Sequence, residues 1–250
     1  MRFLILANLG DTTPVHVAAR LRRRHRPADV RLVAAEELIF APRWTHRLFD
    51  SPGGNGLTLH DGTAIRSDSV QVVFNRLGQL SMPHFGASPA ADRDYALMEM
   101  SALLLSWLSS FSCPVINRPA PQGLAGVPRS WLGWMTLAGK TGLSPAPARL
   151  EWPVGSSGPS VPAAFPDGIR FQVLVAGSRV VGHCESGLAA RCVVLAKAAN
   201  CELLRLYFVR LEQSRPACIL TGADPLPPLV CDAELDAVAA LLESRAGRTA

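Results

Sequence analysis

Several common signatures are missing from this chain of 250 residues. None of its six cysteines forms a C-x-x-C pair or takes zinc-finger spacing with histidine, which excludes the usual zinc modules and leaves free thiols in a reducing compartment as the simplest account. No apolar run reaches membrane-spanning length: MEMSALLLSWLSSF (98–111) carries Glu99 and several serines. The opening MRFLILANLG is too short for a signal peptide and runs into a polar turn, so a cytoplasmic protein is expected, with no membrane partner. The one Gly/Ser loop that could cradle a phosphate, GSSG (155–158), is not followed by Gly-Lys-Ser/Thr, and no internal repeat is evident. Charge is sparse at 18%, while 48% of residues are hydrophobic, which excludes a disordered chain and leaves a globular one rich in turns.

What charge there is amounts to a formal net +5, and much of it sits in RLRRRHR, residues 20–26. Such a run can meet phosphate, but it also suits the solvated end of a helix, where the dipole favours cations. No nucleic-acid motif accompanies it, so a nucleic-acid partner is not expected.

The apolar periodicity divides the chain. RFLILAN (2–8) has strand length, PVHVAARLRRRH (14–25) has helical spacing, and DVRLVAAEEL returns to strand, a β-α-β opening typical of an open parallel sheet. Residues 43–70 suggest a hairpin excursion, with Asp61-Gly62 as its turn. VQVVFNR (70–76) reads as a buried strand, DRDYALMEMSALLLSWLSSF (92–111) as a long helix, and CPVIN (113–117) as a further strand. SWLGWMTLAGKTG (130–142) predicts a helix capped by Ser130 and closed by Gly142. Residues 143–168 are dense in Pro, Gly and Ser and read as a linker. Beyond them lie a hairpin turning at Gly177-Ser178, a helix over 188–201, a strand over 203–212, a strand running into a Pro-rich loop over 217–229, and a terminal helix capped by Asp232. The expected organisation is therefore an α/β amino-terminal domain with its connecting helix (1–142), the linker (143–168), and a smaller α+β lobe (169–250).

The two apolar runs VVFNRLG and CPVINRPAP both end in Asn-Arg: Asn75-Arg76 and Asn117-Arg118. In open parallel sheets the ligand crevice lies beyond the carboxyl ends of the strands, so the repeated pair is a candidate crevice edge. Ordinary turn chemistry explains the same residues, since Asn favours strand exits and Pro119 forces an extended one. Asp11 and His16, after the first strand, read as a cap and a helix residue. Trp107, Trp131 and Trp134 read as core or subunit contacts.

This order of parts resembles the ATP-grasp ligases, and in particular their peptide-modifying branch. The matching stretches are GDTTPVHVAARL after the first strand, HDGTAI before VVFNRLG, DRDYALMEMSALLLSWL, CPVINRPAP, RSWLGWMTLAGKTGLSPAP, the hairpin FQVLVAGSRVV, and ILTGADPLPPL. The resemblance covers most of the chain and implies an amino-terminal α/β domain followed by lobes that close on ATP. It also implies Mg²⁺ on the strand ending in ILTGADP and ligand contacts at Arg129 and Arg170, which join Asn75, Arg76, Asn117 and Arg118 of the strand edge as candidate ligand-binding residues.

The sequence departs from that family at three places. Only about twenty residues separate Pro147 from Arg170 where the family places its nucleotide lobe, too few for a three-stranded unit with turns. GSSG (155–158) stands there without a following Gly-Lys-Ser/Thr. The positions matching the family's paired metal ligands are Thr221 and Ala223, leaving Asp224 as the one carboxylate. Arg129 stands where relatives carry a phosphate-binding lysine, and arginine is not an equivalent. The expectation is thus an ATP-grasp-like chain with its nucleotide lobe largely missing, acting as a non-catalytic scaffold or binding partner in a peptide- or small-molecule-modification pathway. A protein or peptide partner is expected, and a homo- or hetero-oligomer would cover apolar surface left by the short lobe. No cofactor is expected. The alternative is an ATP- and Mg-dependent carboxylate–amine ligase completed by a partner subunit.

Overall fold

The computed structural model describes residues 1–47, 55–147, 167–211 and 218–247. GSSG and most of the expected linker lie outside them. The chain separates into two compact units, Met1–Pro128 with Pro228–Ala250, and Arg129–Pro227. This division differs from the expected one at both ends: the connecting helix belongs to the second unit and the terminal helix to the first.

In the first unit, strands β1 (Phe3–Ala7), β2 (Val30–Ala34), β6 (Val72–Arg76) and β7 (Val115–Ile116) form a parallel sheet in the order β2-β1-β6-β7. Every residue of β1 and β6 is buried, as expected of central strands covered on both faces. CPVIN contributes only two residues to the sheet, Val115 and Ile116, in register with Val73 and Phe74. Helix α1 (Thr13–Arg22) links β1 to β2, and the short α2 (Ala35–Ile39) follows β2. The excursion is a separate antiparallel sheet of β3 (Arg43–Thr45), β4 (Gly56–Thr58) and β5 (Ala64–Arg66). Its turn is the Asp61-Gly62 pair: Gly62 takes φ +80°, and the Thr63 amide donates to Asp61 Oδ1 at 2.9 Å. Helix α3 (Ala90–Ser109) packs Leu104, Trp107 and Leu108 into the core, where Trp107 meets Trp44 and Phe111 edge to face.

Helix α6 (Asp232–Ala246) completes this unit by packing on α1 and β6. It buries Ala237, Val238, Leu241 and Leu242. Three residues of the basic run meet acids at the α1–α6 seam. Arg20 pairs with Asp232 and with Asp236 at 3.2 Å, Arg24 with Asp236 and with Glu243 at 3.5 Å, and His25 with Glu243 at 3.0 Å. Asp232 is the first residue of α6 and forms no cap; the N-cap is Cys231.

The second unit holds a five-stranded sheet in the order β10-β9-β11-β12-β8. Its strands are β8 (Ser144–Pro145), β9 (Ile169–Ala176), β10 (Arg179–Val181), β11 (Leu203–Arg210) and β12 (Cys218–Asp224). Helices α4 (Trp131–Lys140) and α5 (Ser186–Ala198) cover one face, through Trp134, Met135, Leu188, Cys192 and Leu195 on Val173, Val175, Leu204 and Leu206. Ser130 caps α4 by accepting from the Gly133 amide at 3.1 Å, and Gly142 ends the helical segment at φ +78°. The β9–β10 turn uses Gly177 at φ +63°. Among the described residues no helix is long and apolar enough to cross a membrane.

Candidate functional site

The parallel sheet delivers both Asn-Arg pairs to its carboxyl edge, as the strand lengths predict. There the side chains turn inward. Asn75 is buried; its amide donates to Leu124 O at 2.6 Å and to Asn117 O at 3.4 Å, while its Oδ1 accepts from the Leu77 amide at 3.2 Å. Asn117 is buried and takes φ +55°, a left-handed turn that asparagine tolerates better than other side-chain-bearing residues. Arg76 is 4% exposed and its Nε donates to Asp11 Oδ2 at 2.6 Å. Asp11 also accepts from the Thr13 amide at 3.1 Å, so one carboxylate holds both the start of α1 and the end of β6. Arg118 is an exposed residue whose guanidinium donates back to Phe111 O and Cys113 O, at 3.3 and 3.1 Å, closing the turn between α3 and β7. The edge therefore brings Asn75 and Asn117 together and ties Arg76 to Asp11.

The loops held by Asn75 form one wall of a groove of about 810 Å³, whose other wall is α3. Gln79, Leu80, Pro121 and Leu124 line it from the loops, Leu97, Met98 and Leu105 from the helix. The sequence pointed to this strand edge but not to α3 as its wall. The helical spacing of Leu97, Ser101 and Leu105 was the available signal.

In the second unit a cavity of about 510 Å³ opens over β9, β11 and β12. Arg170 and Gln172 line it together with Tyr207, Val209, Thr221 and Gly222. Strand alternation puts Arg170 and Gln172 on the face opposite Val173 and Val175, hence away from α4 and α5. Arg170 is exposed, with Val209 its register partner. Arg129 lies elsewhere in this unit. Its guanidinium sits 5.7 Å from the Trp134 ring centroid and donates to Ala199 O at 3.4 Å, the carbonyl at the end of α5.

At the end of β12, Asp224 Oδ1 accepts from the Leu226 amide at 2.8 Å, which makes it the pivot of a turn. The Thr221 hydroxyl donates to Tyr207 O at 3.1 Å. Arg205, buried and missed at the sequence level, stands directly across the β11–β12 register from Asp224. Among the described residues no group of three His, Cys, Asp or Glu side chains could hold a metal ion. Burial pushes the thiols of Cys113 and Cys201 up to about 11 and that of Cys192 to about 12, so none is a nucleophile near neutrality.

No protein-family model and no curated protein matches this chain. Solved structures do. The chain is similar to the macrocyclase MdnC of Microcystis aeruginosa, bound with the precursor peptide MdnA: TM-score 0.76 at 11% identity, over 98% of this chain and 100% of that one. It is similar to the ATP-grasp ligase PsnB complexed with minimal precursor, Mg and ADP: TM-score 0.67 at 13% identity, over 96% of this chain and 98% of that one. A RiPP-associated ATP-grasp ligase of Chryseobacterium gregarium, in complex with ADP and a leader and core peptide, gives TM-score 0.68 at 8% identity, over 97% of this chain and 96% of that one. The fold expected from the sequence, a mixed α/β chain of ATP-grasp type with a parallel sheet, is the fold found.

Proposed function

We propose that this chain is an ATP-grasp-fold peptide-binding protein that does not turn over ATP by itself, serving a peptide-modification pathway as scaffold or binding partner. The observation that carries the reading is the state of β12. Phosphoryl transfer rests on positioning and on charge neutralisation by Mg²⁺ and cationic groups. Mg²⁺ asks for oxygen ligands in near-octahedral order, with carboxylates and phosphates supplying the charge. Here the one carboxylate, Asp224, pivots a turn, and the Thr221 hydroxyl is spent on Tyr207 O. A permanent cation, Arg205, faces Asp224 across the register, at the spacing where cross-strand side chains interact. ATP and Mg²⁺ would therefore meet an incomplete oxygen set. The short sequence between Pro147 and Arg170 supports the same reading, because it leaves little chain for a second sheet over the nucleotide.

The peptide part of the proposal draws on the solved relatives, several of which are complexes with precursor or leader peptides. A second reading, a ligase whose site a partner subunit completes, is favoured by the exposed Arg170 at the 510 Å³ cavity, a residue type suited to clamping phosphate or carboxylate.

Calorimetric titration of the purified protein with MgATP, with phosphate release followed in the same samples, separates the two. The expected outcome is no phosphate release above the uncatalysed background. Steady release that is lost in Asp224→Asn would overturn the non-catalytic reading.

A further inference from the structure

We propose that the groove between α3 and the two strand-exit loops is the peptide-docking site of the first unit, and that it takes an amphipathic peptide with apolar anchors and a basic residue at one end. The inference rests on the peptide-binding reading above and adds the location and the chemistry of the partner. Three observations carry it.

The first is exposure. Leu97, Ser101 and Leu105 recur at helical spacing along α3 and line the groove, with Met98 beside them. Met98 is 68% exposed and Tyr95, one turn before it, is 66% exposed. Large apolar side chains at mid-helix beside a concave surface mark an interaction site. Methionine, unbranched and polarizable, suits a surface that must fit several side chains.

The second is that the groove is built before anything binds. Asn75 anchors both loops, one through Leu77 and the other through Leu124 O at 2.6 Å. The Asn8 amide donates to Gln79 O, and Ala120 and Gly123 exchange both backbone hydrogen bonds at 2.9 Å. A preformed wall lowers the ordering cost of binding. Gln79 and Gln122 line the groove on the loop side, exposed, each offering a donor and an acceptor to a peptide backbone.

The third is charge. Among the described residues no charged side chain lines the groove. Asp94 stands one helical turn before Met98, on the same side of α3, and the neighbouring Arg93 guanidinium is drawn to Gly86 O at 3.2 Å. That end of the groove is acidic and selects a lysine or arginine. A second copy of this chain fits poorly. Antiparallel pairing of α3 would set Asp94 against residues 100–112, which contain no Lys or Arg, and parallel pairing would set it near its own equivalent.

The test is fluorescence anisotropy with a fluorescein-labelled synthetic peptide of about three helical turns, carrying leucines at i, i+4 and i+7 and a terminal Lys-Lys, against the same peptide ending in Glu-Glu. Wild type is expected to bind the lysine peptide at least about tenfold more tightly than the glutamate one. Met98→Asp should abolish that binding, and Asp94→Lys should reverse the preference. Equal binding of the two peptides overturns the proposal, as does indifference to Met98→Asp. So does light scattering that shows a dimer made monomeric by Met98→Asp, since the groove would then belong to a second copy. Phosphate release from MgATP, measured on the same samples, reports on the non-catalytic reading separately: turnover with groove binding intact defeats that reading alone, and silence with no groove binding defeats this one alone.

Discussion

Arg76 and Asp11 hold two pieces of backbone with one contact: the end of β6 and the start of α1. Removing one partner from a buried ion pair strands the other charge, which costs more than the pair itself is worth. Asp11→Ala is therefore expected to destabilise the protein by about 2–4 kcal/mol, scaled down from a fully buried pair because Asp11 is partly exposed. Asp11→Ala combined with Arg76→Met should recover part of the loss. Urea unfolding midpoints of the three variants check this; an additive double variant would mean the pair is not coupled. The Asn-Arg repeat also shows what a sequence can and cannot say about a residue. Strand length and the following turn placed Asn75 and Asn117 at one sheet edge. Nothing local says that the Asn75 amide reaches Leu124 O, because that partner comes from a different loop. A polar residue at a strand exit is legible; whether it faces a ligand or a carbonyl depends on the long-range fold.

At the scale of elements, α1 and α6 carry opposite charge along their shared seam. Arg20, Arg24 and His25 on or just beyond α1 meet Asp232, Asp236 and Glu243 on α6. Asp236 serves two arginines, so Asp236→Lys replaces two attractions by two repulsions. Each pair is half-exposed and worth well under about 1 kcal/mol, so the expected loss is about 1–2 kcal/mol, shrinking as salt screens it. Thermal melts at low and high salt test this, and a loss independent of salt would assign the cost to packing. The basic run was readable as a helix end. The pairing of Arg20, Arg24 and His25 was not, because the acids lie more than two hundred positions away. By contrast α4 was legible at both ends, since Ser130 and Gly142 act within a turn of their own positions.

For the whole molecule, the buried thiols set a limit on the alkaline side. Cys113 lies in the first unit, Cys192 and Cys201 in the second, and burial raises all three to about 11–12. An unfolded thiol ionises near about 8.5. Between these values the folded chain binds more protons than the unfolded one, so stability falls as pH rises. The contribution is fully present below about pH 8.5 and lost through about pH 11–12. Urea midpoints should fall from about pH 8 to about pH 10, and the fall should flatten when the three cysteines are replaced by alanine. The domain plan was legible only in part. Local pattern distinguished two halves, but composition placed the boundary in the Pro/Gly/Ser stretch, whereas packing assigns α4 forward and α6 back.

That return of α6 has a consequence for biogenesis. A chain emerging from the ribosome presents the sheet of the first unit, with α1, long before residues 232–246 have been translated. Val17, Ala18 and Leu21 are buried in the finished protein, and the acids that pair with Arg20 of α1 follow it by more than two hundred residues. The second unit, contiguous in sequence, can mature while the first still waits for its closing helix. A chain cut before residue 232 and tethered to the ribosome by a linker long enough to clear the exit tunnel should therefore carry a folded second unit beside an unfinished first one, a natural client for a chaperone.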